Sequence, residues 1–436
     1  MTSDKGAKRV LFISYYYPPT GGAAVQRPAK FVKYMGRFGF QPTVLTVENP
    51  SVPIRDESML NDGPQGITVL RARTLEPPYE VKKSVMSGRR YRHGLEVIAR
   101  SILIPDPQTL WIPFLMKKIL SVRKNPPDLI FVTAPPFSSL VAGVLAKLIL
   151  RRPLISDFRD EWVGWLDGSS WKDLGTNKNV RAWLERMLER LVVRHSDAVV
   201  SASPGYVGAF REKYPGAPAD KFCAITNGYD PDDFESAETG EDLTTVFRAD
   251  RLNLLYMGTV FPLTSLKYFL GAINALEAKE MFNLVIAGRI TGDEDRVLES
   301  YTGFSIRKLG YVPHAAVVQL ARHSDALLLT LSPLRGAERV VPGKIFEYLA
   351  LRKRIIAIMP KGSASHILEG LSGCVTVDPL DAASIARACQ SLLEEWRSCG
   401  LAQPVANDPS EHSRERKTEL LCALFNGILD KSAVIA

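Results

Sequence analysis

SYYYPPTGGAAVQRPAKF, Ser14 to Phe31, cuts short an apolar run with two prolines and two glycines, then resumes with helical spacing. The run before it, Val10 to Ile13, has the unbroken apolar character of a buried strand. From Gln26 to Phe38, the positions of Phe31, Val32 and Met35 predict a helix that Gly39 stops. Gly21 and Gly22 therefore belong to a strand-to-helix loop. In an open α/β sheet such a loop lies at the carboxyl edge of the strand, where a helix N-terminus offers free N–H groups and a positive dipole. Gly21 and Gly22 are thus a candidate anion site. The alternative is a tight turn that only needs glycine, since neither G-x-G-x-x-G nor a lysine-bearing phosphate loop is present.

The same alternation runs outward along the chain. QPTVLTV, GITVLRAR, DLIFVTAPP, PLISDFRDEW and SDAVVSASP are short, β-branched runs, each followed by turn chemistry or a helical segment. After the acidic stretch Asn227 to Asp242, read as a hinge, the rhythm returns in LNLLYMG, FNLVIAG, SIRKLGYV, DALLLTL, RIIAIM and CVTVD. Strands alternating with helices imply parallel βαβ units. The expected fold class is α/β, with two Rossmann-like, doubly wound parallel-sheet domains. Expected boundaries are 1–228 and 229–400, with a tail at 401–436 whose apolar helix, Thr418 to Ile428, covers the first domain. At 436 residues the chain exceeds what one core supports, which agrees with two domains.

Composition narrows the partners. Charged residues make up 23% and apolar ones 46%, as in ordinary globular proteins. A net charge of +8 favours anionic partners. The five scattered cysteines include no C-x-x-C pair, so neither a zinc site nor a disulfide framework is indicated, and a reducing compartment is the simplest reading. No secretory signal and no spanning helix are visible, because Phe137 to Leu150 is too short and carries Lys147. The expected location is the cytoplasm or the inner face of the cell membrane. Between residues 79 and 124 the chain is strongly basic and interleaved with large apolar residues, as interfacial membrane contact requires. An ordinary pair of surface helices is the alternative. No nucleic-acid recognition motif accompanies these residues.

The second half carries the more specific constellation. SPLRGAERVVPGKIFEYLA, Ser332 to Ala350, follows the strand DALLLTL and opens a helix near Gly343. Arg335, Arg339 and Lys344 cluster at that helix mouth, with Glu347 one turn further in. Cations beside backbone N–H groups suit a diphosphate, and an ionised carboxylate beyond them suits a sugar diol. A solvated charged loop is the alternative. The D-x-D-like run GDEDR, Gly292 to Arg296, reads as the start of a helix, and the six histidines lack ligand spacing. No metal and no cofactor are expected. His314 reads as a loop residue near a helix start.

Taken in order, PPTGGAAVQRP, APPFSS, DFRDEW, ITNGYDPDDF, YMGTV and PGKIFEYLALRKRIIAI resemble GT-B glycosyltransferases of the large retaining family four, particularly bacterial members that assemble surface polysaccharides. The resemblance implies two domains facing across a cleft, a nucleotide-sugar donor bound mainly by the second and a glycan or lipid-linked acceptor bound mainly by the first. It also implies transfer with retention, of hexosyltransferase type. Gly21 and Gly22 then match the family's glycine loop. Gly258 matches the glycine after the first strand of the second domain, Gly343 and Lys344 the diphosphate-holding helix mouth, and Glu347 the second Glu of E-x7-E. The first Glu is replaced by Arg339, and Thr259 stands where a basic residue often follows Gly258, leaving Arg335 to supply that charge. Asp157 and Asp160 in DFRDEW end a strand where related enzymes place a polar catalytic group, Asp160 being the acceptor-side candidate. A structural pairing of either with Arg159 or a helix N-terminus is the alternative. The rival readings are a nucleotide-sugar epimerase and a degenerate member that binds a sugar nucleotide or a partner without catalysis.

Overall fold

Strand β1 (Lys8–Ser14) alternates its side chains between two cores. Leu11 and Ile13 face one, joined by Tyr15 just beyond the strand, and Val10 and Phe12 the other. A strand buried on both sides is what a parallel sheet covered by helices requires. The computed structural model describes residues 6–52, 55–60, 66–81, 103–163, 178–235, 243–401 and 405–435. The chain divides into two compact units, Met1–Thr226 with Arg414–Ala436, and Asn227–Ser413.

In the first unit, β2 (Phe40–Val47), β3 (Thr68–Ala72), β4 (Leu129–Ala134), β5 (Leu154–Phe158), β6 (Ala198–Ser201) and β7 (Phe222–Ala224) join β1 in a seven-stranded sheet. Its order is β3-β2-β1-β4-β5-β6-β7, and every pairing is parallel. The order reverses between β1 and β4, so the loops that follow these two strands meet at the switch point where such sheets bind ligands. Helices Ile112–Ser121, Ser138–Leu150 and Lys178–His195 lie over one face. Helix Ala23–Met35 and the C-terminal helix Arg414–Ile435 lie over the other, where Phe425 meets the rings of Phe40 and Phe131 at 5.4 and 5.7 Å.

The second unit repeats the scheme with β8 (Leu252–Met257), β9 (Phe282–Ala287), β10 (Ser305–Gly310), β11 (Ala326–Thr330), β12 (Arg354–Ile358) and β13 (Cys374–Val377). The order β10-β9-β8-β11-β12-β13 again reverses, here between β8 and β11, and all pairings are parallel. The loops after β8 and β11 carry Gly258 and the Arg335–Gly343 stretch. Both units are therefore doubly wound α/β sheets, as the alternation predicts. Among the described residues no helix is long and apolar enough to cross a membrane. Residues 82–102 of the basic 79–124 segment, and residues 236–242 of the acidic stretch read as a hinge, lie outside the described residues.

Candidate active site

The two carboxyl edges are built differently. In the first unit, Gly22 caps helix Ala23–Met35 at φ 94°, a left-handed conformation that only glycine adopts without strain. No neighbour lies within 4 Å of where a Cβ would stand, so conformation and not space fixes the residue. One turn in, Arg27 is 1% exposed and grips Asp157 through two bonds, Nη2 to Oδ1 at 2.8 Å and Nε to Oδ2 at 3.0 Å. Thr133 donates to Asp157 Oδ2 at 2.7 Å, and Arg27 Nη1 donates to the Thr226 carbonyl at 3.0 Å. Asp157 thus ends β5 with both oxygens engaged and no exposure.

Arg159 ties the motifs together. Its guanidinium donates to the carbonyls of Ala134 at 2.7 Å, Ala24 at 2.5 Å and Pro135 at 3.1 Å. PPTGGAAVQRP, APPFSS and DFRDEW therefore meet at one edge, joined by a buried guanidinium. Asp160 is half-buried, and loss of hydration raises its carboxyl above the usual range although Arg159 opposes the shift. Trp162 stacks on Phe137 with ring centroids 5.0 Å apart.

Two features of this edge escape the sequence. Asp106 Oδ2 accepts the Ser138 N–H at 3.0 Å, capping helix Ser138–Leu150 from a distant loop, while its Oδ1 is buried without a partner. Burial raises its carboxyl to about 6. Beside the glycine loop lies a depression of ≈ 270 Å³ lined by Thr20, Glu48, Arg55 and Arg71 among others. Neither is signalled by local spacing, because the contributing residues come from separate loops.

In the second unit, Gly258 (φ 105°) follows β8 and Gly288 follows β9. The two loops touch: a Cβ on Gly288 would lie 2.0 Å from the Gly258 carbonyl oxygen. Lys344, the first residue of helix Lys344–Leu351, reaches the same place. Its Nζ donates to the Met257 carbonyl at 3.1 Å, sits 3.7 Å from the centroid of the Tyr256 ring, and lies 3.9 Å from where a Gly258 Cβ would stand. Burial pushes the ammonium down to about 7, and Glu347 pulls the other way. Tyr348 fixes this helix to the sheet, accepting from Met257 N at 3.0 Å and donating to the Leu328 carbonyl at 3.1 Å.

Glu347 is 27% exposed and its Oε1 lies 3.2 Å from His314 Nε2. His314 begins helix His314–His323. That pair joins β10 and β11 connections and was not legible from spacing. Gly343 is helical at φ −57°, so its conformation is open to any residue. Arg335 is exposed on the β11 loop. Arg339 folds back beside Glu338 at 3.6 Å and under Gly336, whose N–H donates to Glu338 Oε2 at 3.0 Å. The acids of GDEDR form the first turn of helix Gly292–Glu299: Asp293 pairs with Arg296, Glu294 accepts from Ser265 at 2.6 Å, and Asp295 pairs with Lys308 at 2.5 Å. Gly258, Lys344 and Glu347 are thus brought to one edge, where an ammonium, a helix N-terminus and a carboxylate can receive an anionic ligand bearing hydroxyls.

Comparison with known proteins bears on the class and the fold. Residues 21–228 match the glycosyl transferase 4-like domain, and residues 251–395 match the glycosyl transferases group 1 domain. No curated protein matches the sequence. Among solved structures, HepE from Anabaena, in complex with UDP and glucose, superposes with a TM-score of 0.63 at 16% identity, covering 96% of this chain and 100% of its own. Sucrose-phosphate synthase from Thermosynechococcus elongatus gives 0.59 at 14%, covering 98% of each chain. The lipopolysaccharide outer core galactosyltransferase WaaB gives 0.53 at 12%, covering 97% of this chain and 99% of its own. These likenesses establish the fold, and the two matched domains establish the class: the chain belongs to the GT-B glycosyltransferases.

Proposed function

We propose that the second unit binds a nucleotide-diphosphate sugar and that the chain transfers the sugar, with retention, to a glycan or lipid-linked acceptor held by the first unit. The observation that carries this reading is Lys344, held between the Met257 carbonyl and the Tyr256 ring beside Gly258. A half-buried ammonium with its charged form disfavoured is ready to gain from an arriving diphosphate. Lys344, Arg335 and the N-terminus of helix Lys344–Leu351 would counter the charge that builds on the departing diphosphate, the main task where electrostatic preorganisation carries the rate. The reading therefore needs no metal. Glu347, held by His314, would take the ribose hydroxyls. Gly21 and Gly22 would bring backbone N–H groups toward the transferred sugar. Asp160 is the acceptor-side polar group, while Asp157 positions the glycine-loop helix through Arg27. The likeness to HepE, whose structure holds UDP and glucose, and to WaaB supports a hexosyl donor and a place in bacterial exopolysaccharide, capsule or lipopolysaccharide synthesis.

Thermal unfolding in the presence of UDP, GDP, TDP, CMP or NAD tests the donor site. One nucleoside diphosphate raises the midpoint, and Glu347→Ala removes the rise, because a ligand of the native state alone stabilises it. No response to any of the five overturns the donor assignment. With the donor known, NMR of the product's anomeric proton decides retention, and an inverted product overturns that part alone.

A further inference from the structure

Helix Lys178–His195 exposes a stripe that the fold does not use. Val180, Trp183, Met187 and Leu191 recur at helical spacing along one side and are 52, 56, 45 and 40% exposed. Arg186, Arg190 and Arg194 run beside them, also exposed. The two carboxylates of this helix are turned away: Glu185 pairs with Arg181 at 2.9 Å, and buried Glu189 receives Lys213 and Tyr214 at 2.8 and 2.6 Å. The neighbouring helices of the same layer continue the pattern. Leu148 and Leu120 are 59 and 50% exposed. Residues 107–127 and 138–156, which contain those helices, include no Asp or Glu but do include Lys117, Lys118, Arg123, Lys124, Arg151 and Arg152, besides Lys147, which Asp197 pairs at 2.6 Å.

We infer that this helical face of the first unit lies on an anionic membrane surface, with Trp183, Met187 and Leu191 entering the headgroup boundary and the arginines meeting lipid phosphates. Interfacial helices combine large apolar residues with cations whose long stems reach back toward the headgroups. Isolated exposed leucines are ordinary, but a continuous stripe with cations and no outward carboxylate on the helix is not. Nucleic acid would find the charge but not use exposed valine, methionine and leucine. A second copy would oppose Arg186, Arg190 and Arg194 to their own equivalents, since a two-fold interface is self-complementary. The inference is independent of the donor-site reading and of any lipid-linked acceptor.

Co-sedimentation of the full chain with vesicles tests it, using phosphatidylcholine alone and phosphatidylcholine with about one part in three phosphatidylglycerol. The wild type sediments with the mixed vesicles and not with the neutral ones, less so at high salt. An Arg186→Glu, Arg190→Glu, Arg194→Glu variant loses on the order of 100-fold in partitioning, since each cation near such a surface contributes about tenfold or less. Trp183→Ala with Met187→Ala loses about tenfold, and replacing the three arginines by lysine retains binding. Hydrogen exchange on the wild type gives a second reading that needs no variant: mixed vesicles slow exchange in helix Lys178–His195. Absence of sedimentation, equal sedimentation with neutral vesicles, partitioning unchanged in both variants, or slowed exchange confined to other segments overturns the inference. So does a dimer in the absence of vesicles that Trp183→Ala dissociates.

Discussion

The same topological rule builds both units, yet their carboxyl edges spend charge differently. At the first edge the charged side chains answer one another. Arg27 and Asp157 are closed into a two-bond pair at 1% and 0% exposure, and Arg159 is consumed by three backbone carbonyls. At the second edge Lys344 meets a carbonyl and a ring face, and Glu347 lies 3.2 Å from a histidine nitrogen while 27% exposed. A switch point decides where loops meet. Whether the charges that arrive there hold the fold or await a ligand depends on which groups face them across the loops.

The sharpest way to break this contrast is to remove Arg27. Truncating one partner of a buried pair strands the other charge, at a cost of about 3–5 kcal/mol. Arg27→Ala is therefore expected to lower unfolding free energy by that amount in urea denaturation. Affinity of the remaining folded protein for a nucleoside diphosphate stays as it was. A loss of affinity with stability preserved would make Arg27 a ligand group and erase the difference between the edges.

Lys344→Met makes the converse test. Losing a charged hydrogen bond to the diphosphate costs about 1.5–3 kcal/mol, roughly 10- to 150-fold in affinity by isothermal titration. Stability without ligand falls far less than with Arg27→Ala, because burial already disfavours the ammonium. If stability drops by as much while affinity holds, Lys344 is a structural cation like Arg27.

This division was half legible in the sequence. The strands were, because runs such as LNLLYM and FNLVIA are apolar on both faces and only a sheet covered by helices uses them. β7 was not, being three residues at a sheet edge. Lys344 could be anticipated from the helix that opens after DALLLTL, whereas Gly258 came only from the family resemblance. The partner of Asp157 could not: its neighbour Arg159 was the obvious candidate, yet the pair forms with Arg27, 130 residues away. Likewise Arg159 finds carbonyls, and His314 finds Glu347. Spacing along one element predicts faces, but pairing between loops depends on a geometry that sequence order does not carry.

The smallest expected effect comes from a first-edge carboxyl held by a backbone N–H and not by a guanidinium. Asp106 accepts from Ser138 N through Oδ2, leaves Oδ1 buried without a partner, and has its carboxyl raised from 3.8 to about 6 by burial and, to a lesser degree, by Glu76. Between those two values the folded protein holds a proton that the unfolded chain releases, so this group's contribution is fully present below about pH 4 and is lost as pH rises through about 6. Asparagine keeps an acceptor for the helix cap and puts an N–H donor where the second oxygen stands, within a site that also buries the unpartnered hydroxyls of Ser138 and Ser139. Asp106→Asn is therefore expected to gain about 1–2 kcal/mol on the wild type as pH moves from about 4 to 7. Denaturation curves for both proteins across that range measure the slope. A difference independent of pH would mean that Asp106 stays ionised throughout, and that the first edge, like the second, keeps a charge in reserve.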